Sequence, residues 1–162
     1  MGCAVAIKKT YDEMADRWTY IGDIHKVKDE KNGFGEVWLQ ALFVDLKDGG
    51  DMFWLGTSRK ALEWHWLDDT SFILLIDGKR FTGVGRVVHS EVTEEAGWFD
   101  NKVICNEEIH CGGDLEIMKL LGKSEGAKFR LKDVDFLLPH GLISDIKEIL
   151  KDLEKTGGYG EI

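Results

Sequence analysis

The sequence predicts an α+β domain, mostly antiparallel β-sheet in a sandwich or a partly open barrel, with a short N-terminal helix and two helices in the C-terminal half. Three observations predict this fold. Between residues 19 and 113, short apolar runs mostly follow the period of two that is typical of strands. Turn dipeptides such as Asn32-Gly33 and Asp77-Gly78 separate these runs. Beyond residue 113 the apolar period twice becomes that of a helix.

The N-terminal segment carries the pattern of a capping box. The hydroxyl of Thr10 can accept the amide of Glu13, and the Glu13 carboxylate can accept the amide of Thr10. This pairing predicts a short helix that ends near Trp18. The expected division of the chain is a tether and short helix over residues 1–18, a single β-rich domain over 19–155 and a flexible tail over 156–162.

The predicted strands follow one another along the middle of the chain. The segment GEVWLQALFVDL, residues 35–46, is apolar on both faces, which predicts a central strand. Further strands are predicted at MFWL, ALEWHWL and SFILLI, between residues 52 and 76. The segments RFTGVGRVVHSEV and GWFDNKVICNEEIH continue the series to residue 110. This succession predicts a β meander.

Two segments after residue 113 predict helices. Asp114 can cap the segment DLEIMKLLGKSE, whose apolar residues recur at helical spacing. The chain then returns to two short strands around a Lys132-Asp133 turn. The last helix is predicted from near Gly141 to Lys155 by an apolar stripe, which consists of Leu142, Ile146, Ile149 and Leu153.

The composition limits both the size and the partners of the protein. A chain of 162 residues and 18.4 kDa matches one domain with one core. The formal net charge is -9, and the sequence has no basic cluster. Such a charge repels phosphate backbones and anionic lipids, so nucleic acid and basic membrane adhesion are not expected. The longest apolar run, FILLI at residues 72–76, is far shorter than the roughly 20 residues of a membrane-spanning helix.

Cys105 and Cys111 are the first candidates for chemistry. A disulfide between them requires the intervening residues to fold back, because six extended residues span roughly 20 Å whereas bonded cysteines lie within about 7 Å. Only an oxidising compartment would maintain this bond. The alternative is two reduced thiols packed as small apolar groups. No metal or cofactor is predicted, since the cysteines lack CxxC spacing and His110 would point away from Cys111 on a strand.

Trp64, His65 and Trp66 form the second candidate site. On a strand, the imidazole would point away from both indoles. The two indoles either fill the core or form a platform on which a ligand could stack. The GVG stretch at residues 83–85 lacks the third glycine of a dinucleotide loop, and no other nucleotide-binding or hydrolase motif occurs.

The stretches IDGKR, EGAKFRL and DFLL match a pattern shared by a broad set of uncharacterised bacterial proteins, many of them lipoproteins. In that pattern an apolar strand ends in DGKR or DGER, and an acidic stretch, a short helix, a strand and a closing helix follow. The chain resembles this family over roughly residues 60–153. The resemblance implies a compact β-rich domain, tethered to the bacterial envelope and without established catalytic residues.

The same resemblance gives Cys3 a role. Family members often begin with a lipobox, in which a cysteine preceded by a small residue receives the lipid. Gly2 and Cys3 match the last two positions of this motif, whereas its leucine and the apolar signal are missing. The resemblance implies a lipid on Cys3 and a location on the periplasmic side of the envelope. Without that lipid, the protein is expected in the cytoplasm.

The sequence leaves three classes of function open. The first is a non-enzymatic envelope lipoprotein domain that binds a protein or a small ligand. The second is a cytosolic adaptor or regulatory protein whose acidic surface engages a basic partner. The third is a small hydrolase or metal-dependent enzyme that uses His65, His89, His110 or Cys105. Because no catalytic motif accompanies these residues, the first class is favoured.

Overall fold

The computed structural model of the protein describes residues 7–27, 35–46 and 50–156. These residues form eleven strands and two helices. In chain order the elements are β1 (Lys8–Asp12), β2 (Arg17–Ile21), β3 (His25–Val27), β4 (Glu36–Leu46), β5 (Met52–Ala61), β6 (Ser71–Ile76), β7 (Lys79–Val84), β8 (Arg86–Glu95), β9 (Lys102–Gly113), α1 (Leu115–Lys123), β10 (Ala127–Leu131), β11 (Val134–Leu137) and α2 (His140–Thr156).

The strands form two antiparallel sheets, neither of which closes on itself. The large sheet has the order β1-β2-β4-β5-β9-β8, and β3 pairs with β4 beside this path. The small sheet has the order β11-β10-β6-β7. The prediction of a mostly antiparallel, β-rich chain is thereby confirmed. The turn predicted at Asn32-Gly33, between β3 and β4, lies outside the described residues.

One hydrophobic core joins the two sheets and the two helices. The small sheet contributes Phe72 and Phe129, whose ring centroids are 6.1 Å apart. Alternate residues of β4 face the same core, because successive side chains of a strand point to opposite faces; they are Val37, Leu39, Ala41 and Phe43. Helix α2 buries the predicted apolar stripe, namely Leu142, Ile146, Ile149 and Leu153. Each layer is therefore stabilised by its contact with the others.

The prediction of an N-terminal helix from Thr10 to Trp18 is wrong, because this segment forms the β1–β2 hairpin. Asp12 closes the turn: its Oδ1 accepts the amides of Met14 and Ala15, both at 3.1 Å. A helix as short as the predicted one is marginal, whereas the hairpin gains backbone pairing with β4 as well. The expected boundary at residue 18 therefore falls inside β2, which belongs to the large sheet.

The strand predicted at ALEWHWL is also wrong, because β5 ends at Ala61 and residues 62–70 form a loop. The carboxylate of Glu107 on β9 holds this segment in a loop conformation. It accepts the backbone amides of His65 and Trp66 at 3.0 and 2.8 Å. These amides need no partner strand once they are bonded to a side chain.

Two hairpin turns of the small sheet lie where the sequence predicts them. At Asp77-Gly78 the φ angles are 46° and 83°, which is the left-handed region that a two-residue hairpin requires. At the Lys132-Asp133 turn, Lys132 has a φ of 58°. These turns fix the registers of the β6–β7 and β10–β11 pairs.

Candidate functional site

The hairpin of β8 and β9 reaches beyond the rest of the large sheet. Strand β5 pairs with β9 only as far as Ala61 and Cys105. The β8–β9 pairs past this point have no other described strand beside them: Thr93–Ile104, Glu94–Val103 and Glu95–Lys102. We call residues 93–104 the arm. Its strands extend roughly 10 Å past the last residue pair of β5.

The arm ends in a tight turn. The amide of Gly97 donates to the carbonyl oxygen of Asp100 at 3.1 Å. Glycine is required at this position, because a Cβ there would lie 2.3 Å from the same oxygen. The turn carries Trp98 and Phe99, whose exposed fractions are 99% and 97%. Two neighbouring aromatic side chains therefore stand in solvent at the tip of the arm.

Adjacent exposed aromatic side chains are typical of binding surfaces. A ring of this size buries about 150–250 Å² when it is covered. Within the described part of the chain, nothing covers Trp98 or Phe99. Aromatic residues are enriched among those that anchor one protein on another, usually by filling a pocket. The tip can therefore act as an insert for a pocket on a partner.

Carboxylates flank the two rings. Glu94, Glu95 and Asp100 lie on the arm, and Lys102 is its one cation. The Glu95 carboxylate also forms an ion pair with Lys60 of β5, which ties the arm to the sheet. The arm thus presents an apolar tip with an acidic rim. This combination disfavours insertion into an anionic lipid surface and favours a pocket with a basic rim.

The free edge of β8 is a second feature of this region, since β8 is the last strand of the large sheet. Such an edge can pair with a strand of another chain. Here, however, the register shifts between Val87 and His89, and Glu91 and Glu94 add charge along the strand. Irregular register and charge both oppose edge pairing. The tip is therefore the better candidate for docking.

Of the two alternatives for Cys105 and Cys111, the structure contradicts the disulfide and shows two separate thiols. Both residues lie on the extended strand β9 as buried free thiols. Six residues of extended strand separate their Cα atoms by roughly 20 Å, which is far beyond the reach of a disulfide. Burial raises the pKa of the Cys111 thiol to about 12. At neutral pH this thiol is protonated, and it is therefore a poor nucleophile and a poor metal ligand.

Trp64, His65 and Trp66 do not share one surface. The Trp66 indole is fully buried and packs edge-on against Phe136, with ring centroids 6.3 Å apart. The His65 ring lies nearer the surface, where its Nε2 is 2.6 Å from Oδ1 of Asp133. Trp64 is exposed. Of the predicted ligand platform, only Trp64 and His65 can offer surface to a ligand.

The other histidines of the enzyme hypothesis each face a carboxylate. Nε2 of His89 is 3.3 Å from Oε2 of Glu91, and Nε2 of His110 is 2.8 Å from Oε1 of Glu108. Among the described residues, no group of three His, Cys, Asp or Glu side chains is placed to hold a metal ion. Cys3, the predicted site of lipid attachment, lies outside the described residues. None of the described helices is long and apolar enough to cross a bilayer.

The tip of the arm is not identified by the sequence pattern. The segment GWFDN is predicted as the start of a strand, but in the structure it forms the turn of the hairpin. A signal for the turn does exist, because Gly97, Asp100 and Asn101 are typical turn residues. Two aromatic residues enclosed by such a turn cannot both face the core.

Comparison with known proteins adds no further evidence. No protein-family model matches the chain. No curated protein and no solved structure matches it either. The function is therefore inferred from the geometry and the charges of the arm.

Proposed function

We propose that this protein is a non-enzymatic binding module that docks on a partner protein through the tip of its arm. The observation that carries this proposal is the almost complete exposure of Trp98 and Phe99. In this proposal the two sheets form an open sandwich, and their shared core holds the base of the arm rigid. The pocket that accepts the tip is apolar and has basic residues at its rim.

Burial of the two rings supplies the binding energy. At about 25 cal/mol per Å², covering one ring is worth about 4–6 kcal/mol before the costs of association are subtracted. The arm is held in place by its own strand pairing and by the ion pair between Glu95 and Lys60. Because an ordered arm loses little freedom on docking, more of the burial energy appears as affinity.

The arrangement of the histidines supports binding rather than catalysis. General acid–base catalysis requires titratable groups within hydrogen-bond reach of one bound substrate. His65 contacts Asp133, whereas His89 contacts Glu91 and is also paired across the sheet with Glu108, the partner of His110. Cys105 is buried in the sheet. Among the described residues, these groups therefore do not form a cluster of three that could hold a metal ion.

The docking proposal is tested by site-specific photo-crosslinking in the natural host. A photoreactive phenylalanine analogue replaces Trp98, and in a second protein it replaces Met14, whose exposed fraction of 98% matches that of the tip. We expect a discrete crosslinked product from position 98 and none from position 14. The product should disappear when Phe99→Ala is added. Equal crosslinking at the two positions, or none at position 98, contradicts the proposal.

The location of the module is a separate proposal. In the envelope proposal, a lipid on Cys3 tethers the domain, and the arm reaches a periplasmic or surface partner. In the cytosolic alternative, the same acidic arm engages a basic partner inside the cell. Fractionation and intact mass of the protein expressed from its native gene distinguish the two. A membrane-bound form carrying diacylglyceryl and acyl groups on Cys3 supports the first, and an unmodified form in the soluble fraction supports the second.

A further inference from the structure

The outer face of the small sheet carries an apolar groove whose lining includes three cations and one carboxylate, Asp135. Its floor includes Ile73 and Leu75 of β6. In the sheet register, Leu75 lies between Arg80 of β7 and Lys128 of β10. The groove has a volume of about 430 Å³. We call it the basic groove, and β7, β6 and β10 form its base.

The cations of the basic groove differ in their contacts within the described part of the chain. Arg130 is engaged, because its Nε and Nη2 donate to the carboxylate of Asp135 at 2.5 and 2.9 Å. Arg80 and Lys128 are exposed and form no ion pair or hydrogen bond with another described residue, although the charge of Lys128 helps to lower the pKa of the nearby Asp135 carboxyl. In a chain with a net charge of -9, such cations beside apolar residues favour an anionic, apolar partner.

We infer, on the basis of the proposed function, that the basic groove receives the arm of a second copy of this chain. The apolar surface of the groove is complementary to the apolar tip of the arm. The groove offers Leu75, and Leu137 is exposed beside it on β11. Trp98 and Phe99 of the other copy would cover these leucines. Both partners would thereby remove apolar surface from water.

The charges match as well. Glu94 and Asp100 flank the two rings on the arm. Arg80 and Lys128 flank the leucine in the groove. A tip that lies on Leu75 therefore brings two carboxylates toward two cations that form no ion pair or hydrogen bond with the described residues of their own chain. Opposite charges at the rim of an interface steer the encounter and fix its register.

The arm does not fill the groove of its own chain. Strand β8 leads away from Gly85 for ten residues, which is roughly 33 Å, before the tip is reached. Arg80 lies on β7, on the other side of Gly85. The exposed fraction of 99% for Trp98 also means that the ring touches almost nothing in its own chain. The contact is therefore between molecules.

Each copy carries one arm and one groove, so two copies can exchange arms around a two-fold axis. Such an exchange closes, whereas a one-way contact would continue into a filament. With about 150–250 Å² from each aromatic ring and a similar area from the surfaces they cover, two exchanged arms bury on the order of 1,600 Å². This is the standard size of a specific protein interface. We therefore infer a symmetric dimer.

Analytical ultracentrifugation of the purified chain over a range of concentrations tests this dimer. We expect a reversible monomer–dimer equilibrium that shifts toward monomer at high salt, because the rim contacts are exposed to solvent. Trp98→Ala with Phe99→Ala should weaken dimerisation at least about 100-fold. Met14→Ala, at an equally exposed side chain, should leave it unchanged. Far-UV circular dichroism checks that every variant is folded.

Charge reversal distinguishes arm exchange from other dimers. One variant carries Arg80→Glu and Lys128→Glu in the groove, and another carries Glu94→Lys and Asp100→Lys on the arm. Each should be monomeric alone, because like charges then meet at both contacts. A mixture of the two should form a one-to-one dimer, since every arm then faces a groove of opposite charge. A mixture that stays monomeric overturns the inference.

Failure of this inference can be told apart from failure of the docking proposal. Suppose that the wild-type chain is monomeric at all concentrations and that residue 98 crosslinks to another protein in the host. The docking proposal is then supported, and the inference that the partner is a second copy of the chain is wrong. If residue 98 crosslinks to nothing, both are wrong. A concentration-dependent series of larger species overturns the closed exchange. Crosslinking of residue 98 to position 75 or 137 of a second copy, mapped by peptide mass, supports it.

Discussion

Arg59 and Glu107 form an ion pair in the interior of the protein, with Nη1 and Oε2 2.8 Å apart and side chains only 2% and 0% exposed. The same guanidinium donates to the carbonyl oxygen of Glu63 at 2.7 Å. The carboxylate also accepts the amides of His65 and Trp66. This pair therefore fastens the loop that follows β5 to the large sheet.

Glu107→Ala is expected to lower the free energy of unfolding by about 3–5 kcal/mol, because the guanidinium of Arg59 would stay buried after losing the neutralising carboxylate of Glu107. The two loop amides would also lose their acceptor. Urea denaturation measures the change. Glu125→Ala, at an exposed position after α1, is the control and should change stability by less than about 0.5 kcal/mol. A Glu107→Ala protein as stable as this control would contradict the role of the pair.

Asp152 on α2 makes the free energy of unfolding depend on pH. Nζ of Lys9 lies 2.6 Å from its Oδ2, and the hydroxyl of Tyr20 donates to the same oxygen at 3.1 Å. The hydrogen bond from the Lys9 ammonium lowers the pKa of Asp152 below its ordinary value of 3.8. Because the folded pKa is the lower one, the stabilisation is complete above pH 3.8 and is lost as the pH falls through the folded pKa.

Asp152→Asn should therefore lower the free energy of unfolding near neutral pH. The difference from wild type should shrink as the pH falls through the lowered folded pKa of Asp152, because the wild-type carboxylate then takes up a proton. Urea denaturation at several pH values gives the comparison. A difference that is the same at both ends of the pH range would mean that the carboxylate charge of Asp152 does not contribute.

The two described cysteines are expected to be unreactive in the folded protein. In a Cys3→Ser background, a thiol reagent at about pH 8 should label neither Cys105 nor Cys111 until urea unfolds the chain. Mass spectrometry without reductant should find two free thiols after unfolding. Rapid labelling under native conditions, or a mass lower by two hydrogens, would contradict their buried and separate positions on β9.

The tip of the arm should contribute almost nothing to the stability of its own chain. Trp98→Ala with Phe99→Ala is expected to change the free energy of unfolding of the monomer by less than about 0.5 kcal/mol, because neither ring is packed. Phe43→Ala, in the core, should cost about 3–5 kcal/mol. Both values are measured at concentrations low enough to prevent association. Strong destabilisation by the tip variant would mean that the rings pack against their own chain.

Asp114 caps helix α1, and its Oδ1 accepts the amide of Ile117 at 2.9 Å. Asp114→Ala should therefore lower stability by about 1 kcal/mol. Asp114→Asn retains an oxygen that can accept this bond and should be close to wild type. Urea denaturation compares the two. If both variants lose the same stability, the carboxylate contributes through its charge and not through the cap.

Sequence patterns were sufficient to predict the structure of segments whose conformation depends on a few neighbouring residues. The φ angles of Asp77 and Gly78 follow from the chemistry of a two-residue turn. The alternation in β4 follows from a strand that is covered on its inner face. In both cases the determinant lies within the segment itself, so the sequence could predict it.

The patterns failed where a distant residue decides the structure. The loop after β5 depends on Glu107, which lies far along the chain from His65 and Trp66. The β1–β2 hairpin depends on pairing with β4, although Thr10 and Glu13 alone fit a helix start. The arm exists because β5 ends before β8 and β9 do. The alternation of residues in β8 and β9 does not indicate where β5 ends. Long-range pairing is not encoded in local spacing.

The order of the strands along the chain has a consequence for synthesis and folding. Strands β6 and β7 of the small sheet come between β5 and β9, which are neighbours in the large sheet. The partner of β6 on its other side, β10, comes only after β9. Neither sheet can be completed before distant parts of the chain meet, which is typical of slow folding. On the ribosome, the small sheet is therefore completed only after most of the chain has been synthesised.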